Sequence, residues 1–301
     1  MENTDAWSLY WQGSHLESCI TNNRSKDQSI LVDSWRDLAM NLEVASTVLD
    51  LATGNGSVPN NLLKFNQLLQ ITAVDRANID PKSCIEQNSL LNSVKFMPNI
   101  DITKLPFKKA MFDAITSQFG LEYSTLSLST PELVRVLKPK GQFMFIMHHE
   151  DSEVVAPARI KVKEFNLLFN SELLANFEAF LKGAISLNAL NVEGQKILSD
   201  PAWLKSETIT GQLFTAIDKL IQMKEKGQSA AELLKIYQTM RNRIIAESSR
   251  LQQLVSASLS KNEVIAFCHA LEKLGTKATY QSIDLTGNTG VLGWKIIGSK
   301  R

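Results

Sequence analysis

The sequence predicts an α/β fold: a doubly wound, mostly parallel seven-stranded sheet that ends in a reversed hairpin and is interrupted by an all-helical segment. Between residues 47 and 150, short apolar segments of strand length alternate with helical stretches. Residues 151–255 contain almost no strand pattern, and the α/β pattern returns after them. Strands separated by helix-length segments form βαβ units, so the sheet is expected to be mainly parallel.

Composition limits the function classes. The chain has 301 residues, of which 44% are hydrophobic and 21% charged, enough for one large domain or a core with an insertion. Its formal net charge is only +1, so no global field attracts nucleic acid or anionic lipid. We therefore expect no DNA partner.

The cysteines and the N-terminus suggest a reducing compartment. Cys19, Cys84 and Cys268 are odd in number and far apart, which fits neither a disulfide framework nor a zinc site. The first residues are acidic and polar, unlike a signal peptide, and no apolar run approaches the roughly 18–20 residues that span a bilayer. We expect a cytoplasmic protein without a metal site or a membrane span.

Residues 1–46 are predicted to form a helical, aromatic N-terminal segment. A helix is expected within 29–44, because four apolar residues recur there at helical spacing: Leu31, Trp35, Leu38 and Leu42. Before it stands the cluster Trp7-Ser8-Leu9-Tyr10-Trp11. This cluster could cover a ligand as a lid, or it could simply anchor the N-terminal helix by packing.

The predicted core comprises residues 47–150 and 256–301. Its expected strands are Thr47–Leu51, Ile71–Val74, Val94–Met97, Phe112–Ser117, Gln142–Met147, Thr279–Leu285 and Val291–Ile297. Thr130-Pro131-Glu132 predicts a helix start, with Thr130 as its N-cap. Ser260 and Glu263 form a capping box for a helix that Gly275 ends, and 287–290 predicts the turn of the final strand pair.

Residues 151–255 are predicted to form the helical insertion. Amphipathic helices are expected over 155–185, 211–226 and 230–255. The insertion holds 13 Lys and Arg against 12 Asp and Glu, so no basic groove is implied. We expect its apolar side chains to form mainly bundle core, among them Phe165, Leu168, Phe169, Phe177, Phe180 and Leu181. Packing within the chain is favoured over a homodimer through this segment, which stays an option.

A glycine-containing turn follows the first predicted strand. It reads Asp50-Leu51-Ala52-Thr53-Gly54-Asn55-Gly56, and glycines at such a place let the backbone approach a nucleotide-like ligand. The carboxylate of Asp50 would repel a pyrophosphate but tolerate an ammonium group. Pro59 stands at the third glycine position of a dinucleotide motif, which disfavours a nicotinamide-dependent oxidoreductase. Ala52 replaces a usual first glycine, which is tolerated if its φ is negative.

Acidic residues also follow the next two strands. Asp75, with Arg76 beside it, ends the second strand and could accept two ribose hydroxyls. Asp101-Ile102 follows the third strand, where a carboxylate can accept an adenine amino group while Ile102 packs on the ring. The fourth strand ends at Gln118-Phe119. Each carboxylate alone could be a helix cap, but three at successive strand ends favour a ligand site.

With these motifs the chain resembles the class I, Rossmann-like S-adenosylmethionine-dependent methyltransferases over about 47–150 and 257–298. The run Glu132-Leu133-x-Arg135-Val136-Leu137-Lys138-Pro139-Lys140-Gly141 and the terminal strand pair add to the resemblance. It implies S-adenosyl-L-methionine as cofactor and S-adenosyl-L-homocysteine as product. It also implies that Gly54 and Gly56 approach the methionine part and that Asp75 binds the ribose. Asp101 and Ile102 would contact the adenine, with Gln118 or Phe119 beneath the cofactor. The other candidates for cofactor binding are Asp50, Ala52, Asn55 and Arg76, together with Tyr10 and Trp11 of the N-terminal cluster.

Catalytic candidates follow the fourth and fifth strands. His148 and His149 come after the fifth strand, and an imidazole can remove a proton, although adjacent strand residues point oppositely and only one should face the cleft. Glu122 and Tyr123 follow the fourth strand and could touch the acceptor. Capping or solvated loop roles are the simpler interpretation for all four.

The acceptor is the open question. A small, partly apolar molecule bound under a lid formed by 151–255 is the leading hypothesis. A protein or RNA methyltransferase and a non-catalytic module that binds the cofactor or a partner protein are the alternatives. Methylation of DNA bases is disfavoured, because Gly120-Leu121-Glu122-Tyr123 lacks the Asn/Asp-Pro-Pro-aromatic motif of those enzymes.

Overall fold

The computed structural model describes residues 3–13, 16, 24–83, 86, 89–199, 209–285 and 290–301. They form two compact units. The first comprises Met1–Ala156 and Gln253–Arg301, and the second comprises Pro157–Gln252. The chain thus leaves the first unit after the fifth strand and returns to it for the last helix and strand pair.

A seven-stranded sheet organises the first unit. Its strands are β1 (Thr47–Leu51), β2 (Gln70–Val74), β3 (Lys95–Met97), β4 (Phe112–Gln118), β5 (Leu137–Met147), β6 (Thr276–Asp284) and β7 (Val291–Lys300). They lie in the order β3-β2-β1-β4-β5-β7-β6. The first five are parallel, and β7 runs antiparallel to both β5 and β6. The predicted fold class is confirmed, including the reversed C-terminal pair.

The helices lie in the regions where the sequence predicts them, but their first and last residues differ from the predicted ones. They are α1 (Asn3–Trp11), α2 (Arg24–Asn41), α3 (Ser57–Phe65), α4 (Leu126–Val136), α5 (Val155–Asn170), α6 (Leu173–Leu181), α7 (Leu187–Leu198), α8 (Ile209–Glu225), α9 (Ala230–Ala257) and α10 (Lys261–Lys273). Among the described residues, no helix is long and apolar enough to cross a membrane.

The start of α4 corrects one expectation. Thr130 is not an N-cap, because the helix already begins at Leu126 and Pro131 lies inside it. The Thr130 hydroxyl instead donates to the carbonyl of Leu126, one turn earlier. The preceding segment 121–125 supplies the turn from which the helix starts, and a single Thr-Pro-Glu signal could not reveal that extra turn.

Local signals at the other helices hold. Ser260 and Glu263 make the complete capping box at the start of α10, and Gly275 follows that helix with a φ of +88°. In α2, the four predicted core positions, from Leu31 to Leu42, are all buried. The predicted turn at 287–290 lies, except for Gly290, outside the described residues.

The second unit is all helical. Within it, Phe177 of α6 packs edge-on against Tyr237 of α9, with ring centroids 5.3 Å apart, and the Tyr237 hydroxyl donates to the carbonyl of Leu174. Five of the six apolar residues expected in this core are buried, but Phe169 is 40% exposed. It lies four residues from Phe165 and stacks on its ring, so helical spacing alone overestimates the width of the buried stripe.

Candidate functional site

A cavity of about 380 Å³ opens at the carboxyl ends of β1, β2 and β4 in the first unit. Parallel strands place their carboxyl ends at the same edge of a sheet, which is where α/β folds bind ligands. Because β2 and β3 lie on one side of β1 and β4 on the other, two ends can be distinguished. We call them the carboxylate end (Asp75, Arg76, Asp101 and Ile102) and the aromatic end (Trp7, Tyr123, Ser124, Thr125, Leu128 and Gln253).

Asp75 is the buried acid of the carboxylate end. Its Oδ2 accepts a hydrogen bond from the Gly54 N–H and its Oδ1 one from the Ala77 N–H, both at 2.8 Å. Burial raises the pKa of Asp75 to about 6, against the lowering effect of these bonds. The carboxylate is therefore fixed in direction while it still lines the cavity.

Asp101 is the exposed acid of the same end. Burial by itself would raise its pKa, but hydrogen bonds from the Thr103 hydroxyl and N–H and the charge of Arg76 outweigh it and lower the pKa below its usual value. Asp101 is thus ionised at neutral pH. Ile102 beside it is buried and presents an apolar wall to the cavity.

Asp50 lies beneath the cavity rather than on it. Its side chain is fully buried, and its Oδ1 accepts a hydrogen bond of 2.7 Å from the Thr116 hydroxyl. Burial raises its pKa to about 7, with hydrogen bonds from Thr53 and Thr116 opposing. Asp50 is not among the residues that line the cavity, so its position supports the turn from below.

The two glycines of the turn do not face the cavity in this conformation. A side chain at Gly54, whose φ is +53°, would collide with the ring of Trp11, and one at Gly56 would meet Phe96 and Leu91 on the other side. The close approach that Gly54 permits is therefore to the protein's own Trp11. The contact of Gly54 and Gly56 with the methionine part of the cofactor stays a prediction.

Ala52 and Asn55 complete the turn. Ala52 lines the cavity, but its φ is +51°, so the negative φ that would make an alanine easily tolerated is not present. Left-handed backbone costs a non-glycine residue about 1–2 kcal/mol. Asn55 does not line the cavity; its Nδ2 donates to the carbonyls of Trp11 and Gly13, at 3.2 and 3.1 Å. It ties the end of α1 to the turn.

Helix α1 covers the cavity with one face. Trp7 and Trp11 are four residues apart, so both point to the same side and both line the cavity. Tyr10 lies on a different face and does not line it; its ring packs edge-on against both indoles, with centroids 5.6 and 5.0 Å away. Of the predicted lid pair, only Trp11 thus reaches the cavity, and the i,i+4 spacing would have selected Trp7 as its companion.

Besides the bonds from Asn55, two further hydrogen bonds hold α1 in place. The Trp7 Nε1–H donates to Gln253 Oε1 at 3.0 Å, and the Asn78 N–H donates to the hydroxyl of Ser8 at 3.0 Å. Gln253 lies 246 residues away in the chain. No pattern in the sequence pointed to it, because only the return of the chain to the first unit brings it to the cavity.

The aromatic end holds three of the four catalytic candidates together. Tyr123 lines the cavity, and its hydroxyl is 3.3 Å from His148 Nε2. His148 is fully buried and stacks on Phe119, with ring centroids 4.6 Å apart. The carboxyl of Glu122 accepts a hydrogen bond of 2.7 Å from the His148 N–H, and burial raises the pKa of Glu122 to about 8.

His149 is separated from this group. Its ring stacks on Trp294, with centroids 4.4 Å apart, and its Nδ1 accepts from the Asp151 N–H. Neither histidine lines the cavity, because His148 is fully buried behind Tyr123 and His149 packs on Trp294. Gln118 lines the cavity and its Oε1 accepts a 2.7 Å hydrogen bond from Trp35 Nε1–H.

Proteins bind metal ions with groups of His, Cys, Asp or Glu side chains. Among the described residues, no group of three or more His, Cys, Asp or Glu side chains is arranged to hold an ion.

The comparisons with known proteins agree with this architecture. Residues 49–145 match the family model of a methyltransferase domain. None of the curated sequences compared with the chain is significantly similar to it.

Solved structures with a similar fold include three methyltransferases. A candidate sarcosine dimethylglycine methyltransferase from Galdieria sulphuraria is 14% identical, covers 98% of both chains and has a TM-score of 0.45. Geranyl diphosphate C-methyltransferase from Streptomyces coelicolor is 13% identical over 49% of this chain and 65% of its own (TM-score 0.40). An S-adenosylmethionine-dependent methyltransferase from Mesorhizobium loti is 19% identical over 41% and 56% (TM-score 0.34).

Of several matched structures, only about half to two thirds of their own length is covered. At these scores they carry no argument about substrates. The family match spans β1 to β5, which are the strands that build the cavity. Together with the sheet order, it identifies this part of the chain as a methyltransferase domain with a Rossmann-like fold.

Proposed function

We propose that the protein transfers a methyl group from S-adenosyl-L-methionine to a small, uncharged and partly apolar acceptor. One observation carries the proposal: a single cavity joins the carboxylate end to an aromatic end that has no charged side chain among its described residues. The two ends offer different chemistry, as a site for a cofactor and an acceptor requires.

The residues of the carboxylate end fit the cofactor. The cofactor carries a sulfonium and an ammonium group against one carboxylate, and the charged side chains of the cavity are Asp75, Asp101 and Arg76 in the described part of the chain. Asp75 would accept the ribose hydroxyls, and Asp101 with Ile102 would hold the adenine. When bound, the cofactor supplies the electrophilic methyl group.

The side chains of the protein bind and position the acceptor. Methyl transfer is an in-line displacement, so the side chains need only align the acceptor and exclude water. The indoles of Trp7 and Trp11 cover the cavity, and Phe119 and Tyr123 also line it, with the Tyr123 ring packed edge-on against Trp7. Their rings provide rigid contact area at low entropic cost.

The size of the cavity favours a small acceptor. Pockets for small molecules range over about 300–1,000 Å³, and this cavity of about 380 Å³ lies near the lower limit. With the cofactor inside, little room is left for a polymer segment. The near-neutral charge points the same way, since an RNA substrate needs a basic surface. An acceptor lid formed by 151–255, a cytoplasmic location and a homodimer stay predictions.

The test measures binding and transfer separately. Calorimetry should detect S-adenosylmethionine binding to the wild type and a loss of at least tenfold in affinity for Asp75→Ala. Asp33→Ala removes a carboxylate that is exposed on α2 and does not line the cavity, and serves as the matched control.

Release of S-adenosylhomocysteine is then followed with phenols, alcohols, amines, a peptide mixture and RNA. We expect turnover with one of the small-molecule classes. Equal affinity in Asp75→Ala and wild type would refute the cofactor assignment, and turnover with RNA or peptides alone would refute the acceptor assignment.

A further inference from the structure

A buried imidazole stands directly behind the one phenolic side chain that lines the aromatic end. We propose that Tyr123 and His148 form a proton-accepting pair for the transfer, and that the acceptor is a phenol. This inference rests on the proposed function and narrows it from a small uncharged molecule to a chemical class.

The geometry separates the roles of the two residues. His148 is fully buried, so it cannot touch an acceptor, whereas Tyr123 is half-buried and lines the cavity. The Tyr123 oxygen and His148 Nε2 are 3.3 Å apart, and the two rings meet edge-on at 74°. Tyr123 is thus the catalytic residue, and His148 is the positioning residue that acts through it.

The backbone around Phe119 fixes the imidazole. Phe119 has a φ of +53°, which a bulky side chain rarely adopts. This conformation lays its ring on His148 at an angle of 13°. A side chain at Gly293 of β7 would come within 3.0 Å of the Phe119 ring, so a glycine there leaves room for the stack. Strained backbone of this kind clusters at functional sites.

Proton balance favours a phenol over the other acceptor classes. A neutral amine can attack the methyl group before it loses a proton, so it needs no base in that step. A hydroxyl must lose its proton. A phenol has a pKa of about 10, like tyrosine, whereas bulk water has one of about 15.7, near that of an alcohol. Because Tyr123 gives up its own proton as it accepts one, the net transfer runs from the acceptor to an imidazole, whose reference pKa is about 6.5. This transfer is uphill by about 3.5 pKa units for a phenol and by about nine for an alcohol, so it favours a phenol.

The step conserves atoms and charge. As the acceptor's proton moves to the Tyr123 oxygen, the Tyr123 proton moves to His148 Nε2. The phenol oxygen then forms its bond to the methyl carbon while the carbon–sulfur bond breaks, and the sulfonium becomes a neutral thioether. The extra proton rests on His148, and it leaves to solvent by the reverse path when the product departs.

Glu122 lies on the other side of the imidazole. Its Oε1 is 3.9 Å from His148 Nε2 and accepts a hydrogen bond from the backbone N–H of His148. Because burial raises the pKa of Glu122 to about 8, this group is mainly protonated at neutral pH and does not compete as the base.

The test uses 4-nitrophenol, whose ionised form absorbs visible light. The probe is added to the full-length protein with S-adenosylhomocysteine, at a pH where the free probe is mainly neutral. We expect the bound probe to show the phenolate band in the wild type and in the control Asp33→Ala, which removes an exposed carboxylate outside the cavity. In Tyr123→Phe and His148→Gln the band should disappear, and methyl transfer to phenols should fall about 10²-fold or more, with cofactor affinity unchanged.

The outcomes are distinguishable. If the wild type does not bind S-adenosylmethionine, the proposed function itself fails. If the cofactor binds but 4-nitrophenol does not bind or does not ionise, or if Tyr123→Phe retains the band and the rate, the pair is refuted while methyl transfer to another class stands. Tyr123→Phe keeps the ring packed against Trp7 and His148, so it decides the matter even where His148→Gln does not fold.

Discussion

Glu122 should make the stability of the protein depend on pH. Its side chain is fully buried, and its Oε2 has no hydrogen-bond partner among the described residues. Burial raises the pKa of Glu122 from 4.5 to about 8. The folded state therefore holds a proton that the unfolded chain releases above pH 4.5.

The sign and size follow from that difference. The contribution to stability is complete below pH 4.5 and is lost as the pH rises toward 8. A difference of about 3.5 pKa units, at 1.36 kcal/mol each, sets an upper limit of about 5 kcal/mol. Glu122→Gln cannot ionise, so this part of the pH dependence should disappear in the variant.

Urea unfolding at several values between pH 4.5 and 8 measures the effect. The wild type should lose several kcal/mol of unfolding free energy over this range more than Glu122→Gln does. Asp50 and Asp75, whose pKa values are raised to about 7 and about 6, contribute with the same sign and stay in both proteins. The exposed control Asp33→Asn should follow the wild type. Parallel stability curves for wild type and Glu122→Gln would refute the reasoning.

Three further predictions concern the turn, the carboxylate of Asp75 and the lid. Ala52→Gly should raise the unfolding free energy by about 1 kcal/mol, since glycine relieves the left-handed φ; a lower melting temperature would contradict this. Cofactor affinity, measured by calorimetry, should fall about tenfold from pH 7 to pH 5, because Asp75 has a pKa of about 6 and its protonated form accepts ribose hydroxyls poorly. The variant Asp75→Asn should bind the cofactor weakly at both pH values. If the affinity of this variant also drops from pH 7 to pH 5, Asp75 is not the source of the pH dependence. Asn55→Ala should loosen α1 by removing its bonds to the Trp11 and Gly13 carbonyls, so tryptophan fluorescence should become more accessible to a quencher; unchanged quenching would show that packing alone holds the helix.

Much of the architecture could be predicted because it is encoded locally. Hydrophobic alternation marks β1 to β7, and the capping box at Ser260 marks the start of α10 to the residue. The acids at Asp75 and Asp101 could be assigned to one edge because parallel strands share it. These features depend on neighbours within one or two turns of chain, which a sequence displays directly.

The composition of the cavity depended on the tertiary structure. Asp50 belongs to the turn in sequence, but the pleat directs it toward Thr116 and away from the cavity. Gly54 is kept free of a side chain for Trp11, which lies 43 residues earlier. Gln253 enters only through the return of the chain to the first unit.

The sequence by itself therefore determined the fold class, the cofactor and the strand ends that carry its site. Only the tertiary structure decided which of two adjacent histidines stands behind Tyr123, and that the hydroxyl, not the imidazole, faces the cavity. The physical reason is that hydrophobic patterns and caps are short-range, whereas the burial of a side chain and the direction it faces depend on residues that are distant in the chain.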